Sequence, residues 1–188
     1  MPPVQSAEEL IPGFHPETEL ERRVTQDPEL LRGLAWGKPR KAHPEGAIAN
    51  HVQDLLERLD AEGVSGEQRE LLRLLVLMHD SFKNEVQEWR PRVGENHHAM
   101  RARRFAERYT DDERLLTTLE LHDRSYGIWR KWKRTGWLDR KRLEEMLRRI
   151  PDHDLFLRFV ELDGSTEGKR PEPIEWFKEE LRQWREAA

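Results

Sequence analysis

The sequence predicts an all-α fold, a compact bundle of helices. Apolar residues recur at three- and four-residue spacing in almost every segment. No stretch alternates apolar and polar residues as a half-buried strand does. One run, LLRLLVLMHDSF within residues 68–82, is apolar nearly all round, which asks for a helix at the centre of the bundle.

In chain order, residues 1–16 read as a loose arm. Residues 17–36 read as one or two short helices broken at Asp27-Pro28, where Asp can cap and Pro can take the first helical position. Residues 37–41 are a loop. Pro44 opens a helix with Ile48, Val52, Leu55 and Leu59 on one face, and Gly63 and Gly66 turn the chain into the central helix 68–82. A polar loop 83–96 with Pro91 and Gly94 leads to a helix from about 97 to 109. Asp111-Asp112 start the next, which runs to His122. Residues 127–137 read as an irregular stretch rich in Trp, Lys and Arg. Helices over 138–150 and 151–162 follow, then a loop 164–173. The last helix, 173–186, carries Ile174, Phe177, Leu181 and Trp184. No internal repeat or low-complexity linker interrupts the 188 residues, so 1–188 reads as one domain.

Charged residues make up 37% of the chain, yet the formal net charge is only −4. That balance excludes a general nucleic-acid binder, which carries a basic excess. No cysteine is present, so there is no thiolate metal site or disulfide framework. The start MPPVQSAEELIPGF has neither a basic n-region nor an apolar core segment, and no apolar run is long enough for a bilayer. No secretory leader and no membrane partner are expected, and a cytoplasmic location is.

Against this background stands a set of inward-facing histidines and aspartates. His51 shares a face with Ile48 and Leu55; His79 follows Leu75 by four and Asp80 follows Val76 by four; His122 follows Leu119 by three; Asp163 follows Phe159 by four. Of the pair His97-His98, His97 shares a face with Arg101, Arg104 and Arg108, whereas His98 shares one with Ala102, Phe105 and Tyr109. The inward member is therefore His98. One such residue on an apolar face is ordinarily a core histidine or a helix-end aspartate. Four His and two Asp together call for a partner, because buried charges are paired or bound to metal. A divalent metal held by His51, His79, Asp80, His98, His122 and Asp163 satisfies them all. Nitrogen and oxygen ligands suit Mn, Fe, Ni, Co, Zn or Mg.

The ordered set also resembles the H…HD…D signature of the HD-domain superfamily of metal-dependent phosphohydrolases. MHDSFK (78–83) is similar to that family's HDxxK helix end, HAMRARRFA (98–106) and LELHD (119–123) to its two following histidine segments, and FVELDGS (159–165) to its last aspartate. The resemblance covers about residues 45–165, with additional helices at both ends. It implies one or two ions: His51, His79, Asp80 and Asp163 would hold one, and His98 and His122 a second, with Asp80 bridging. Ser81-Phe82 departs from the glycine that usually follows HD, which bears on substrate class.

Lys83 should project from the same side as His79 and Asp80, as a phosphate clamp or as an ion pair with Asp80. Asp80 and Lys83 are thus the expected catalytic residues, and Lys83, Arg124 and Arg130 the expected substrate-binding ones. The cations around Tyr126, Trp129, Trp132 and Trp137 could hold phosphate beside a stacked base, or be solvated residues on a packed loop. Asp123 could orient a metal-bound histidine or cap a turn, and His43 could approach the site from the start of the helix that carries His51, although such a residue is more often a plain loop histidine. The expected activity is hydrolysis of a small phosphorylated substrate, a phosphomonoester or nucleotide, by metal-activated water. The alternatives are a di-iron oxygenase of the same superfamily and a non-catalytic nucleotide-binding module. Neither the metal's identity nor the oligomeric state can be read from the sequence.

Overall fold

A computed structural model describes residues 5–38, 46–166 and 168–187; His43 and Pro44 lie outside the described residues. Helices and turns make up the fold, and no strand occurs among the described residues.

The expected loose arm is instead anchored. Helix α1 (Ala7–Leu10) opens on a capping box: the Ser6 N–H donates to Glu9 Oε2 at 2.8 Å and the Glu9 N–H to Ser6 Oγ at 3.2 Å. Ala7, Ile11 and Phe14 are buried in the main core. The break at Asp27-Pro28 falls where expected, between α2 (Glu19–Thr25) and α3 (Pro28–Leu34). Asp27 Oδ1 accepts the Glu29 N–H at 2.8 Å, and its other oxygen accepts the Tyr109 hydroxyl at 2.6 Å. The terminal segment is further held by a buried ion pair between Glu21 and Arg73, with Nε to Oε1 at 2.7 Å.

Helix α4 (Ile48–Ala61) packs on α5 (Gly66–Met78), the central buried helix, which also meets α7 (Glu113–Leu121) and α10 (His153–Gly164). Between α5 and α6 (His98–Ala106) the loop is tied down by the buried Asn96. Its side chain accepts the Gln87 N–H at 2.9 Å and donates to the carbonyls of Gln87 at 3.0 Å and Pro91 at 3.1 Å. The stretch expected to be irregular is helix α8 (Arg124–Thr135). Its apolar side is Ile128 with the half-buried Trp129 and Trp132, and Gly136, at φ 74°, closes it in the left-handed conformation. Helices α9 (Arg140–Arg149) and α11 (Glu172–Ala187) complete the fold.

Two clusters form the apolar interior. The larger gathers α1 to α7 with Leu155, Phe159 and Leu162 of α10. The smaller gathers Ile128, Leu143, Met146, Leu147, Phe177 and Leu181 around Phe156 of the same helix. Successive faces of α10 thus serve both, and Asp163 near its end emerges between them.

One glycine fixes where the HD turn lies. A Cβ on Gly33 of α3 would fall 1.6 Å from the Ser81 carbonyl oxygen, one residue after Asp80. Backbone against backbone cannot give way as a side-chain tip can. Gly33→Ala should therefore lower stability by about 1–3 kcal/mol and weaken metal uptake with it. Gly127→Ala, in a helix interior with open space around the added methyl, should raise stability by roughly 0.4–1 kcal/mol. Thermal melts of the two variants test the contrast; equal midpoints would contradict the close approach.

Candidate metal centre

Five helices deliver the site. His51 comes from the middle of α4, His79 caps the C-terminus of α5 with Asp80 beside it, His98 is the first residue of α6, His122 caps α7, and Asp163 stands near the end of α10. His51, His79, Asp80, His98 and His122 are buried, and Asp163 is partly so.

The imidazoles are oriented from behind. His79 Nδ1 donates to the Val76 carbonyl at 3.0 Å, with the Leu75 carbonyl at 3.2 Å; His122 Nδ1 donates to the Leu119 carbonyl at 2.8 Å. A carbonyl only accepts, so each ring carries its proton on Nδ1 and presents a bare lone pair on Nε2. The Nε2 atoms of His79, His98 and His122 are buried without a hydrogen-bond partner. Unsatisfied buried polar atoms are rare in native proteins, and three converging on one spot form a donor set that wants an acceptor of lone pairs.

Asp80 stands between two such groups. Its Oδ2 is 3.5 Å from His79 Nε2, whereas its Oδ1 is 3.4 Å from His98 Nε2 and 4.0 Å from His122 Nε2. His51, His79 and Asp80 make one set whose ligand atoms lie within 4.8 Å of one another, and Asp80, His98 and His122 make a second. Asp163 Oδ1 joins the first, 3.1 Å from His51 Nε2, which donates to it, and 3.7 Å from His79 Nε2. Ligands at about 2.0–2.2 Å from a common ion stand roughly 3–3.5 Å apart, so the spacing fits a cation. The buried His and Asp groups can hold a metal ion, and the two oxygens of Asp80 address two positions.

A third set joins His97, His98 and Asp123. His97 is the N-cap of α6: its Nδ1 accepts the Ala99 N–H at 3.2 Å, and its ring stacks on His98 at 4.6 Å. Asp123 Oδ2 lies 3.2 Å from His98 Nε2, but not along an N–H direction. Its other oxygen is 3.8 Å from His122 Nε2.

Charge organises the rest. Burial opposes the Asp80 carboxylate, but Lys83, His79 and His98 outweigh it and hold its pKa well below the usual range. Burial likewise opposes Asp163, and Lys169 with His51 and His79 prevails. Lys83 Nζ sits on Asp80 Oδ2, and Lys169 Nζ lies 2.7 Å from Asp163 Oδ1 and 2.8 Å from its carbonyl. Lys83 thus forms the ion pair with Asp80 that its spacing allowed, and it also lines the cavity beside the site. Burial pushes His79 down to about 4, while Asp123 and Asp80 overcome burial to bring His98 up to about 9.

That cavity, of about 460 Å³, is walled by α8, α10 and α11 above Asp80, His122, Asp123 and Asp163. Arg124 and Arg130 do not line it. Because α8 is a helix and not a loop, Ser125, Tyr126 and Trp129 take the inner side. Arg124 is half-buried near Glu120, Arg142 and Arg149, and Arg130 is exposed with its guanidinium 5.8 Å from the Tyr126 ring centre. The cations at the cavity are Lys83, Lys169 and Arg170. The only hint of the last two in the sequence is a basic pair in a glycine-flanked segment shortly after Asp163.

His98→Ala and His122→Ala should each lower bound metal, whereas His97→Ala should keep it and lose about 0.5–2 kcal/mol of helix-cap stability. Elemental analysis and thermal melts read both. Loading should also release protons. His98, cationic at neutral pH in the metal-free protein, must give up its proton to become a ligand, while His79, already neutral, gives up none. Affinity at the His98–His122 position should therefore rise with pH up to about 9. Calorimetry in buffers of different ionisation enthalpy measures the release, and none at pH 7 would show His98 to stand outside the coordination sphere.

No protein-family model matches the chain, and no significant match is found among curated proteins or solved structures.

Proposed function

We propose that this protein is a metal-dependent phosphohydrolase of the HD type, cleaving a small phosphomonoester. The observation that carries the reading is Asp80, whose two oxygens face two histidine sets beneath a cavity lined by Lys83, Lys169 and Arg170. His51, His79, Asp80 and Asp163 would hold one cation, and Asp80, His98 and His122 a second. A bound divalent cation supplies a water of lowered pKa and polarises a phosphoryl oxygen.

The chain's own residues do the remaining work. Lys83 and Lys169 lie on the carboxylates that face the cavity, so their ammonium groups are within reach of a phosphoryl group placed there. Asp123, held anionic by His122 and His98 against the effect of burial, faces the Nε2 atoms of both rings and adds negative charge beside the candidate metal position. The cavity walls exclude bulk water from one side of the site, which strengthens each of these charges.

Phosphate release from a panel of phosphomonoesters should depend on added manganese, cobalt or nickel. Asp80→Ala should lose both metal and turnover. Lys83→Met should keep the metal and lower turnover by at least tenfold, as expected when a charge-assisted contact to the phosphoryl group is removed. Loss of metal from Lys83→Met would show instead that the lysine serves the fold. Absence of phosphate release with every ester, together with oxygen uptake by iron-loaded protein, would replace the hydrolase by an oxygenase.

A further inference from the structure

The cavity has two kinds of lining. One is charged: Asp80, Lys83, Asp123, Asp163, Lys169 and Arg170. The other is apolar, built from Tyr126 and Trp129 of α8, Val160 of α10, and Ile174 and Phe177 of α11. The Tyr126 and Trp129 rings stack on each other, 6.0 Å apart at 22°. The wall is fixed in place: Phe177 is fully buried, and a Cβ on Gly164 would fall 2.0 Å from Ile174 Cδ1, so α11 is set directly against α10.

What the apolar part lacks is as telling. Among the described lining residues there is no Asn, Gln, Thr or Glu, and the charged groups that could read a hydroxyl are those already paired around the candidate metal positions, with Arg170. The neutral hydroxyls are those of Ser125 and Tyr126 alone. A sugar carries a hydroxyl on nearly every carbon, and each one set against Val160, Ile174 or Trp129 would leave water without gaining a partner. An aromatic or branched alkyl group loses nothing there and gains contact with the rings. A volume of about 460 Å³ is enough for a phosphoryl group and a compact ring system together.

We infer, resting on the phosphohydrolase reading, that the substrate is a phosphomonoester of an apolar alcohol, its aryl or alkyl part held against the wall of Tyr126, Trp129 and Ile174. In the reaction the water oxygen bonds to phosphorus, the bond from phosphorus to the alcohol oxygen breaks, and the alcohol leaves with the proton that water gave up. The products are inorganic phosphate and an apolar alcohol, and no oxidant or further co-reactant enters.

The test separates binding from turnover. Manganese-loaded protein is titrated with 1-naphthylmethylphosphonate and with methylphosphonate, neither of which is hydrolysed, and binding is followed by calorimetry. The naphthyl compound should bind at least tenfold more tightly, the range that a few apolar groups in a fitted pocket confer. Trp129→Gln and the surface-exposed Tyr126→Ala should each shrink that ratio, with circular dichroism confirming that both variants fold. In parallel, phosphate release is compared for 1-naphthyl phosphate, glucose 6-phosphate and adenosine monophosphate, the naphthyl ester being expected to lead in kcat/KM. Equal binding of the two phosphonates, or preference for the sugar phosphate or the nucleotide, would overturn the inference and leave the phosphohydrolase standing. Tight naphthyl binding with no phosphate released from any ester would uphold the ligand class and overturn the hydrolase reading beneath it.

Discussion

A carboxylate at the inner end of the most buried helix sets the terms for the surrounding structure. Helix α5 is apolar on almost every side, and it carries Asp80 into the interior as an anion. An anion there is tolerable only if positive charge or donors come to it from several directions. They come from Lys83 and His98, whereas His79 and His122, with their protons on Nδ1, turn bare lone pairs toward the same place. Two of the histidines are held by the same device. His79 and His122 cap the helices α5 and α7, and each donates its Nδ1–H to the carbonyl three residues back. The last turn of a helix has carbonyls without onward partners, so the helix end itself aims the lone pair. Asp80, His98 and Asp163 also stand at or near helix ends, and His51, in the middle of α4, is the exception.

How much of this could be read from the sequence follows from the same physics. Helical phase depends only on spacing, and it brought His51, His79, Asp80, His98, His122 and Asp163 together correctly in space; it also separated His98, buried, from His97, which caps its helix. The break at Asp27-Pro28 was legible because capping chemistry is local. Helix α8 was hidden because its inner side is tryptophan interleaved with lysine and arginine, so the apolar period is faint and Gly127 suggests a break. That error also misplaced Arg124 and Arg130, since a helix assigns them to outer faces. Helix α1 was announced by Ser6 and Glu9 at capping-box spacing, but four residues give no period to recognise. The Glu21–Arg73 pair depends on packing between distant segments, and Lys169 and Arg170 on the fold of the turn after α10, neither of which a helical period encodes.

Without a metal, the charges around the site are largely paired. Asp80, Asp123 and Asp163 are anionic, and against them stand Lys83, Lys169 and a cationic His98, with Arg170 also at the cavity. In that state the two lysines are engaged by carboxylates. A divalent cation held there would bring more positive charge than the proton leaving His98, and would compete with Lys83 for Asp80 and with Lys169 for Asp163. The ammonium groups released in that way line the cavity. On the proposed reading, metal and phosphoryl anion would therefore each strengthen the binding of the other by the same factor. The apolar wall supplied by α8, α10 and α11 carries no charge, and its Phe177 and Val160 belong to the smaller hydrophobic cluster, which in this way reaches the cavity, while the larger cluster buries α5.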